Sequence, residues 1–164
     1  PLFVQRLATP LGPMVAAASD DGLYLLEFAE PERLEPQVRR LGRRLEAQLV
    51  PGTNEILTIL ASELGEYFEA KIQSFSVPLC PLGTPFQLQV WKQLRQIPYG
   101  TTCSYRDLAA AIGRPTAVRA VAGSNGDNRM AIVIPCHRVI GADGSPTGYG
   151  GGVWRKQRLL ELEG

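Results

Sequence analysis

The hydrophobic and polar positions of the first half of the chain follow the short periods of strands, separated by turn-forming residues. Three short apolar runs predict strands at 2–8, 14–19 and 23–29. Asp21-Gly22 predicts a tight hairpin between the last two strands. An Arg- and Leu-rich segment at about 31–49 predicts a solvent-exposed helix. These elements predict a small scaffold with a short antiparallel sheet.

A second helix is predicted after Asn54, whose side chain can cap its first turn. The apolar residues of this segment share one face at helical spacing: Ile56, Leu60, Leu64, Tyr67 and Phe68. No residue of this half has a catalytic pattern.

The second half opens with a helix start at Thr84, where Pro85 fits the first position and Gln87 completes a capping box. The apolar side chains of this helix are predicted to face the core: Phe86, Val90, Leu94 and Ile97. Pro98-Tyr99-Gly100 ends it.

Two further helices follow, joined by a short turn containing Gly113. Ser104 caps the first helix, and the second covers about 116–126. A pair of this kind is typical of a helix-turn-helix, although it also occurs in proteins that do not bind DNA. The second helix has small residues at Ala117, Ala120 and Ser124, which predict a smooth face with Arg119 as its one long side chain. Such a face suits close approach to DNA or tight packing against another helix.

Composition adds limits to this picture. The 164 residues, 45% of them hydrophobic, suffice for one domain or two small ones, and we place the boundary between 1–83 and 84–164. No apolar run is long enough to cross a membrane and no signal segment opens the sequence, so we expect a cytoplasmic protein, or a nuclear one in a eukaryote. Three cysteines without C-x-x-C spacing argue against a disulfide framework.

Charge separates the two halves. Residues 1–84 hold 7 Lys/Arg and 11 Asp/Glu, whereas residues 85–164 hold 10 Lys/Arg and 5 Asp/Glu. Their net charges are therefore −4 and +5. An excess of positive charge in the second half is typical of a surface that faces phosphates, though ordinary variation can also produce it.

The segment IVIPCHRVI at 132–140 combines a cysteine with the single histidine of the chain. Its apolar run predicts a buried strand that ends at Pro135. Neighbours on a strand point to opposite faces, so Cys136 and His137 can meet only if the backbone bends after Pro135. The histidine could then act as a base for the thiol. One histidine and scattered cysteines do not make a zinc site, whereas a cysteine hydrolase remains open.

Six motifs in this order then carry a family resemblance: TPFQLQVW, SYRDLAAAIG, AVRAVAG, IPCHRV, TGYGGG and LLELEG. Over about residues 84–163 the chain resembles the O6-alkylguanine-DNA alkyltransferases, also called methylated-DNA–protein-cysteine methyltransferases. The first half resembles them in layout only. The resemblance implies an α+β fold, with a ribonuclease H-like N-terminal domain and a winged-helix-like C-terminal domain that contains a helix-turn-helix and the active site.

The resemblance also implies an irreversible, single-turnover reaction that repairs DNA. Cys136 would attack the alkyl carbon after His137, acting through a water, removes the thiol proton. Glu163 would orient His137, and Asn128 would brace the active-site turn. Tyr105 would donate a hydrogen bond to the base and so help guanine leave as a neutral species.

The implied substrate is O6-alkylguanine, or O4-alkylthymine, flipped out of duplex DNA through the minor groove. Arg119 would fill the gap in the duplex, on the DNA-facing surface of Ala117, Ala120, Ser124 and Tyr105. The implied contacts with the base are the loop residues Tyr149, Gly150 and Gly151, the carbonyl of Val139, and Pro135. No cofactor and no metal are expected, and the protein is expected to be a monomer that does not bind membranes.

Two departures from the family pattern concern flexibility. Arg129 stands where the family usually has proline, and Gly150 stands where it often has serine or alanine. The main alternative is an alkyltransferase-like protein that binds damaged guanine without repairing it. Those proteins replace the cysteine, whereas Cys136 is present here.

Overall fold

The protein is described by a computed structural model that covers residues 1–146 and 148–164. It divides into two units, Pro1–Pro81 and Leu82–Gly164. Thr147, the first residue of the TGYGGG motif, lies outside the described residues.

The first unit is built on a four-stranded sheet. Its strands are β1 (Leu2–Leu7), β2 (Met14–Ser19), β3 (Gly22–Phe28) and β4 (Leu49–Pro51), in the order β3-β2-β1-β4. The three predicted strands are confirmed, and they pair antiparallel. The predicted short antiparallel sheet is confirmed for these three strands, and a fourth strand that was not predicted, β4, pairs parallel with β1. Three residues are too few to show a strand period, so the sequence pattern could not identify β4.

Two helices complete this unit: α1 (Pro31–Leu45) and α2 (Glu55–Phe68). Helix α1 ends earlier than the predicted residue 49, because Glu46 adopts a left-handed φ of 48° and Leu49 pairs with Leu2 in the sheet. Helix α2 begins as predicted, since the Leu57 amide donates to Asn54 Oδ1 at 2.9 Å.

The second unit consists mainly of helices around two very short strands. Its elements are α3 (Pro85–Leu94), β5 (Cys103–Ser104), α4 (Tyr105–Ala111), α5 (Val118–Gly126), a 3₁₀ turn (Cys136–Arg138), β6 (Val139–Ile140) and α6 (Val153–Glu163). The predicted capping box of α3 is confirmed: Gln87 N–H donates to Thr84 Oγ1, and Thr84 N–H donates to Gln87 Oε1. A second capping box starts α4 at Ser104. The protein is therefore a mixed α+β structure.

The pairing of β5 with β6 brings two distant segments together. Cys103 lies opposite Val139 and Ser104 opposite Ile140, in a parallel register. Strand β6 follows directly from the turn at 136–138, and β5 leads directly into the first residue of α4. Two residue pairs thus place Tyr105 next to the segment that contains Cys136.

The buried strand predicted before Pro135 was wrong, although the side chains of Ile132, Val133 and Ile134 are buried as expected. The backbone instead makes two turns of three residues, in which Val133 N–H donates to Ala131 and Cys136 N–H donates to Ile134, each at 2.8 Å. Ile132 has a φ of +74°, which β-branched residues rarely adopt, and Pro135 has φ −80° and ψ 62°. The second turn is therefore an inverse γ-turn. Burial was predicted correctly, but these turns satisfy backbone groups that a strand would have paired.

The orientation of α5 corrects part of the predicted smooth face. Ser124 is buried with Val121 and Asn125, whereas Arg119, Ala120 and Gly123 are exposed. Ala117 precedes the helix as its N-cap and is half-buried. Ser124 is four residues from the exposed Ala120 but is only 6% exposed, so its side chain does not belong to the exposed face.

A buried hydrogen bond from α3 holds the last turn of α5. Trp91 Nε1 donates to the Ser124 carbonyl at 2.8 Å. That carbonyl lies in the last turn of α5, where helix carbonyls lack partners within the helix.

No helix in the described part of the chain is both long enough and apolar enough to span a membrane.

We predict that Trp91→Phe lowers the free energy of unfolding by at least about 1–3 kcal/mol, because it leaves a buried carbonyl without a donor. Urea denaturation followed by circular dichroism measures this loss. The control is Trp154→Phe, since Trp154 is exposed and the same exchange there should change stability by less than about 0.5 kcal/mol. An equal effect of the two substitutions would contradict a specific role for the Trp91 hydrogen bond.

Candidate active site

Asn128 organises the turn that holds Cys136. Its Nδ2 lies 2.8 Å from the Ile134 carbonyl, 3.3 Å from the Met130 carbonyl and 3.1 Å from Cys136 Sγ. Its Oδ1 accepts from Met130 N–H at 3.0 Å. One buried amide therefore joins both ends of the turn and also donates to the sulfur.

His137 is completely buried and bound to Glu163. Its Nε2 lies 2.7 Å from Glu163 Oε2. Glu163 also accepts two hydrogen bonds from Arg138: Nε donates to Oε1 at 2.8 Å and Nη2 donates to Oε2 at 3.0 Å. The remaining Arg138 nitrogen, Nη1, donates to the Ile97 carbonyl at 2.8 Å. A planar guanidinium suits this paired arrangement.

The environment of His137 favours the neutral imidazole. Burial lowers its pKa from the ordinary value, Glu163 raises it in part, and the positive charges of Arg138 and Lys156 lower it further. The carboxylate of Glu163 can only accept, so it assigns the proton of the neutral ring to Nε2. The buried Nδ1 has no hydrogen-bond partner among the described residues. Its lone pair is therefore available to accept a proton.

Tyr105 and Lys156 interact electrostatically with the Cys136 thiol. Burial raises the pKa of Tyr105, and negative charge on Cys136 raises it further, so its hydroxyl remains a donor at neutral pH. Burial lowers the pKa of Lys156, while negative charge on Cys136 opposes that shift. Lys156 Nζ donates to the Val139 carbonyl and lies 5.9 Å from the centroid of the Tyr105 ring. A thiolate at Cys136 would thus be near a buried ammonium.

The glycine-rich segment 148–152 lies beside Tyr105. The Tyr105 hydroxyl donates to the Gly148 carbonyl at 3.4 Å. Gly148 has a φ of +71°, and a Cβ placed there would lie 3.2 Å from the Tyr105 oxygen. Glycine at this position therefore permits both the turn and the close approach.

Arg119 projects from the exposed side of α5 and makes no hydrogen bond or ion pair within the described residues. Its neighbours on that surface, Ala120 and Gly123, are small. Arg129, at the position where the resemblance leads us to expect proline, donates from Nη1 to the Asp127 carbonyl at 2.7 Å and lies over the Trp91 ring.

Within the described residues, no group of three or more His, Cys, Asp or Glu side chains is arranged to hold a metal ion.

Comparison with known proteins extends beyond the motifs. The family profile described as the DNA-binding domain of 6-O-methylguanine DNA methyltransferase matches residues 85–164. A protein of Methanosarcina barkeri named methylated-DNA–protein-cysteine methyltransferase is 40% identical, over 99% of this chain and 97% of its own length. A protein of Mycobacterium bovis with the same name is 44% identical, over 99% of this chain and 92% of its own.

Solved structures give the same result. The crystal structure of Mycobacterium tuberculosis OGT in complex with DNA has a TM-score of 0.85 and 40% identity, and the match covers 98% of this chain and 92% of that one. The chain belongs to the methylated-DNA–protein-cysteine methyltransferase family. Another member, from the archaeon Pyrococcus kodakaraensis, matches with a TM-score of 0.68 and 26% identity, over 100% of this chain and 99% of its own.

The structure shows which candidate residues of this family member lie together. Two buried hydrogen-bonded pairs, Cys136 with Asn128 and His137 with Glu163, lie next to each other because Cys136 and His137 are neighbours in the chain. Tyr105 joins these residues through its electrostatic interaction with Cys136, and it contacts the loop at Gly148. Arg119 is separate from them, on the exposed side of α5. The roles of these residues remain predictions.

Three basic residues escaped the sequence-based prediction: Arg138, Arg155 and Lys156. Each is buried, and each makes a polar contact in the second unit. The signal for Lys156 was available, because Lys156, Leu159 and Glu163 lie on one helical face at spacings of three and four residues. Once Glu163 was predicted to face the site, the same face should have included Lys156.

We predict that stability falls at acid pH because of His137. Between its lowered pKa in the folded protein and about 6.5, the unfolded chain binds a proton that the folded chain does not. The free energy of unfolding should therefore decrease as pH falls below about 6.5, by at most about 1.4 kcal/mol per pH unit. Urea denaturation at several pH values, with His137→Phe as the control, measures this contribution. The same slope in both proteins would contradict the assignment.

Proposed function

We propose that this chain repairs DNA by transferring the alkyl group of O6-alkylguanine in duplex DNA, and also of O4-alkylthymine, irreversibly to its own Cys136. The observation that carries the proposal is a buried thiol that accepts from Asn128 and is followed in the chain by a buried histidine bound to a carboxylate. Relatives that are 40–44% identical over nearly the whole chain are named for the same reaction.

Activation of the thiol begins at His137. A cysteine with a pKa of about 8.5 is only about 3% thiolate at pH 7, so a base is needed. The Nδ1 lone pair of His137 takes the thiol proton through a water, and Glu163 stabilises the resulting imidazolium. The buried ammonium of Lys156 stabilises the negative charge on the sulfur.

The transfer itself is a single displacement. A bond forms between Cys136 Sγ and the alkyl carbon as the bond from that carbon to the guanine O6 breaks, and the electron pair remains on the base. Tyr105, which is protonated at neutral pH, gives its hydroxyl proton to the base as this bond breaks, so that guanine leaves as a neutral species. Tyr105 then regains a proton from the His137 imidazolium through water. The proton lost by Cys136 balances the proton that the departing guanine gains.

We assign DNA recognition to the helix pair α4–α5, which acts as a helix-turn-helix. Ala120 and Gly123 let the backbone of α5 approach the minor groove, and Arg119 fills the gap left by the flipped base. A relative of 40% identity whose crystal structure contains DNA supports this assignment. The exposed guanidinium of Arg119, which has no ion pair with any described residue, also supports it.

The flipped base is assigned to the space beside Tyr105. In this proposal the loop residues Tyr149, Gly150 and Gly151 close over the base, and the Val139 carbonyl accepts from its amino group. That carbonyl already accepts from Lys156, but a carbonyl oxygen has a second lone pair. Pro135 supports the pocket through the inverse γ-turn that precedes Cys136.

We also propose a domain type for each of the two units. The sheet with α1 and α2 supports a ribonuclease H-like scaffold domain over 1–83. The α4–α5 pair with strands β5 and β6 supports a winged-helix-like domain for DNA binding and transfer over 84–164. We also propose that the protein works where the DNA is, in the cytoplasm or in the nucleus of a eukaryote.

We predict that each molecule acts once. A thioether on Cys136 is a stable carbon–sulfur bond, so repair of a duplex with one labelled O6-methylguanine should stop at one methyl group per protein. Mass spectrometry should find the added mass on the peptide that contains Cys136. Cys136→Ser should abolish transfer, because a hydroxyl is far less acidic and less nucleophilic than a thiol, and should still bind the modified duplex.

Substitution of Cys80 or Cys103 by Ser provides the control, since neither should change this end point. Several turnovers per protein molecule, or label on another cysteine, would refute the proposal and favour a cysteine hydrolase.

We predict that Arg119→Ala weakens binding of modified duplex by about 1–3 kcal/mol, the scale of an unstacking cost. The loss should be smaller when the modified guanine faces a mismatch, because flipping is then easier. Equilibrium binding to both duplexes measures the difference. The exposed Arg106 of α4 supplies the control substitution, Arg106→Ala. An equal loss on both duplexes for Arg119→Ala would make it a phosphate contact instead.

A further inference from the structure

The loop 148–152 contains four glycines and one side chain beyond Cα, that of Tyr149. Positive φ angles of +71° at Gly148 and +98° at Gly152 suit glycine at both ends. Within the loop, Gly152 N–H donates to the Tyr149 carbonyl at 2.9 Å, and the Tyr149 hydroxyl oxygen is buried. The internal hydrogen bond fixes the shape of this turn, whereas contacts with residues outside the loop help to fix its position.

Arg155 is the main contact at the C-terminal end of the loop. It lies in the first turn of α6 and is buried, and its Nη1 donates to the Gly151 carbonyl at 2.9 Å. Its own backbone N–H donates to the Gly152 carbonyl at 3.1 Å. The same residue thus binds two consecutive peptide groups of the loop.

Trp154 supports this guanidinium from the solvent side. The Arg155 Cζ lies 4.7 Å from the centroid of the Trp154 ring, which is a cation–π distance. A Cβ placed on Gly152 would lie 3.1 Å from the Trp154 indole, so the ring also contacts the loop. Trp154 is 54% exposed, yet its indole covers both the loop and the arginine.

At the other end, the Tyr105 hydroxyl donates to the Gly148 carbonyl at 3.4 Å. The loop is therefore held on one side by a residue of the active site and on the other side by Arg155. Between these two anchors lies Gly150, which is exposed.

We propose that Arg155, supported by Trp154, is a positioning residue that determines which alkyl groups the site accepts. The proposal rests on the proposed function, in which this loop closes over the flipped base. With Gly151 held by Arg155, the loop rests close to the O6 substituent, which favours a methyl group and disfavours a longer chain. Without Arg155 the loop moves outwards more easily, so small groups are held less well and larger groups are excluded less strongly.

The test compares rate constants for transfer from one duplex sequence that contains either O6-methylguanine or O6-butylguanine. Arg155→Gln should lower the methyl-to-butyl ratio of rate constants by about tenfold, within the range that a few methylenes are worth in a pocket. Trp154→Ala should change the ratio in the same direction by less. Arg155→Lys keeps the charge but not the planar fork, so it should restore the ratio only in part.

The matched control is Arg158→Gln, which removes the same charge from an exposed position of the same helix. It should leave the ratio unchanged. Hydrogen exchange should be faster in the peptide that contains 148–152 for Arg155→Gln than for Arg158→Gln. This second measurement does not depend on transfer.

The outcomes separate the two proposals. If the unsubstituted protein does not methylate Cys136, the proposed function fails. If it does, and Arg155→Gln keeps the ratio within twofold or slows both substrates equally, the role of Arg155 is refuted. If Arg155→Gln fails to fold, the proposal is tested with Trp154→Ala instead. An unchanged methyl-to-butyl ratio of rate constants in Trp154→Ala would then refute it.

Discussion

The active site depends on the hydrogen bonds that the Glu163 carboxylate accepts from His137 and Arg138. This carboxylate is buried in the last turn of α6, where a negative charge opposes the helix dipole. An isolated charge in this position would be costly, but Glu163 accepts from His137 at 2.7 Å and from Arg138 at 2.8 and 3.0 Å. These partners hold the last turn of α6 against His137, the residue that follows Cys136. The same contacts favour the neutral histidine whose Nδ1 lone pair has no partner in the described part of the chain.

The backbone before Cys136 is the second constraint. Ile132 adopts a φ that costs on the order of 1–3 kcal/mol for a residue of its kind. The buried side chains of Ile132, Val133 and Ile134 offset this cost, and Asn128 satisfies two of the turn carbonyls. The thiol is thus presented from a tightly bonded turn, and β6 continues from that turn to pair with β5 beside Tyr105.

Local signals in the sequence predicted the elements that depend on local chemistry. The capping residues Asn54 and Thr84 act through neighbours three positions away, and both were predicted correctly. Features that depend on distant contacts were missed: β4 requires its pairing with Leu2, and the burial of Ser124 depends on how α5 packs in the second unit. The turn at 131–134 was predicted to be a strand because a run of apolar residues indicates that the side chains are buried, but it does not indicate the backbone conformation.

In the candidate site, too, some residues were predicted from the sequence and others were found only in the structure. Motif residues such as Cys136, His137 and Glu163 were identified from the resemblance, and the structure places them together. Arg138 and Arg155 were missed because a basic residue is ordinarily exposed, and only tertiary contacts reveal that these two are buried, whereas Lys156 shares a helical face with Glu163. The most direct test of the central claim is single-turnover methyl transfer at pH 7.5 from a duplex with one O6-methylguanine, comparing the unsubstituted protein with Glu163→Gln and His137→Phe. We predict that transfer slows by about 10–10⁴-fold in both variants, in the range of general-base effects, while affinity for the duplex is unchanged. Unaltered transfer rates in both variants would contradict the account.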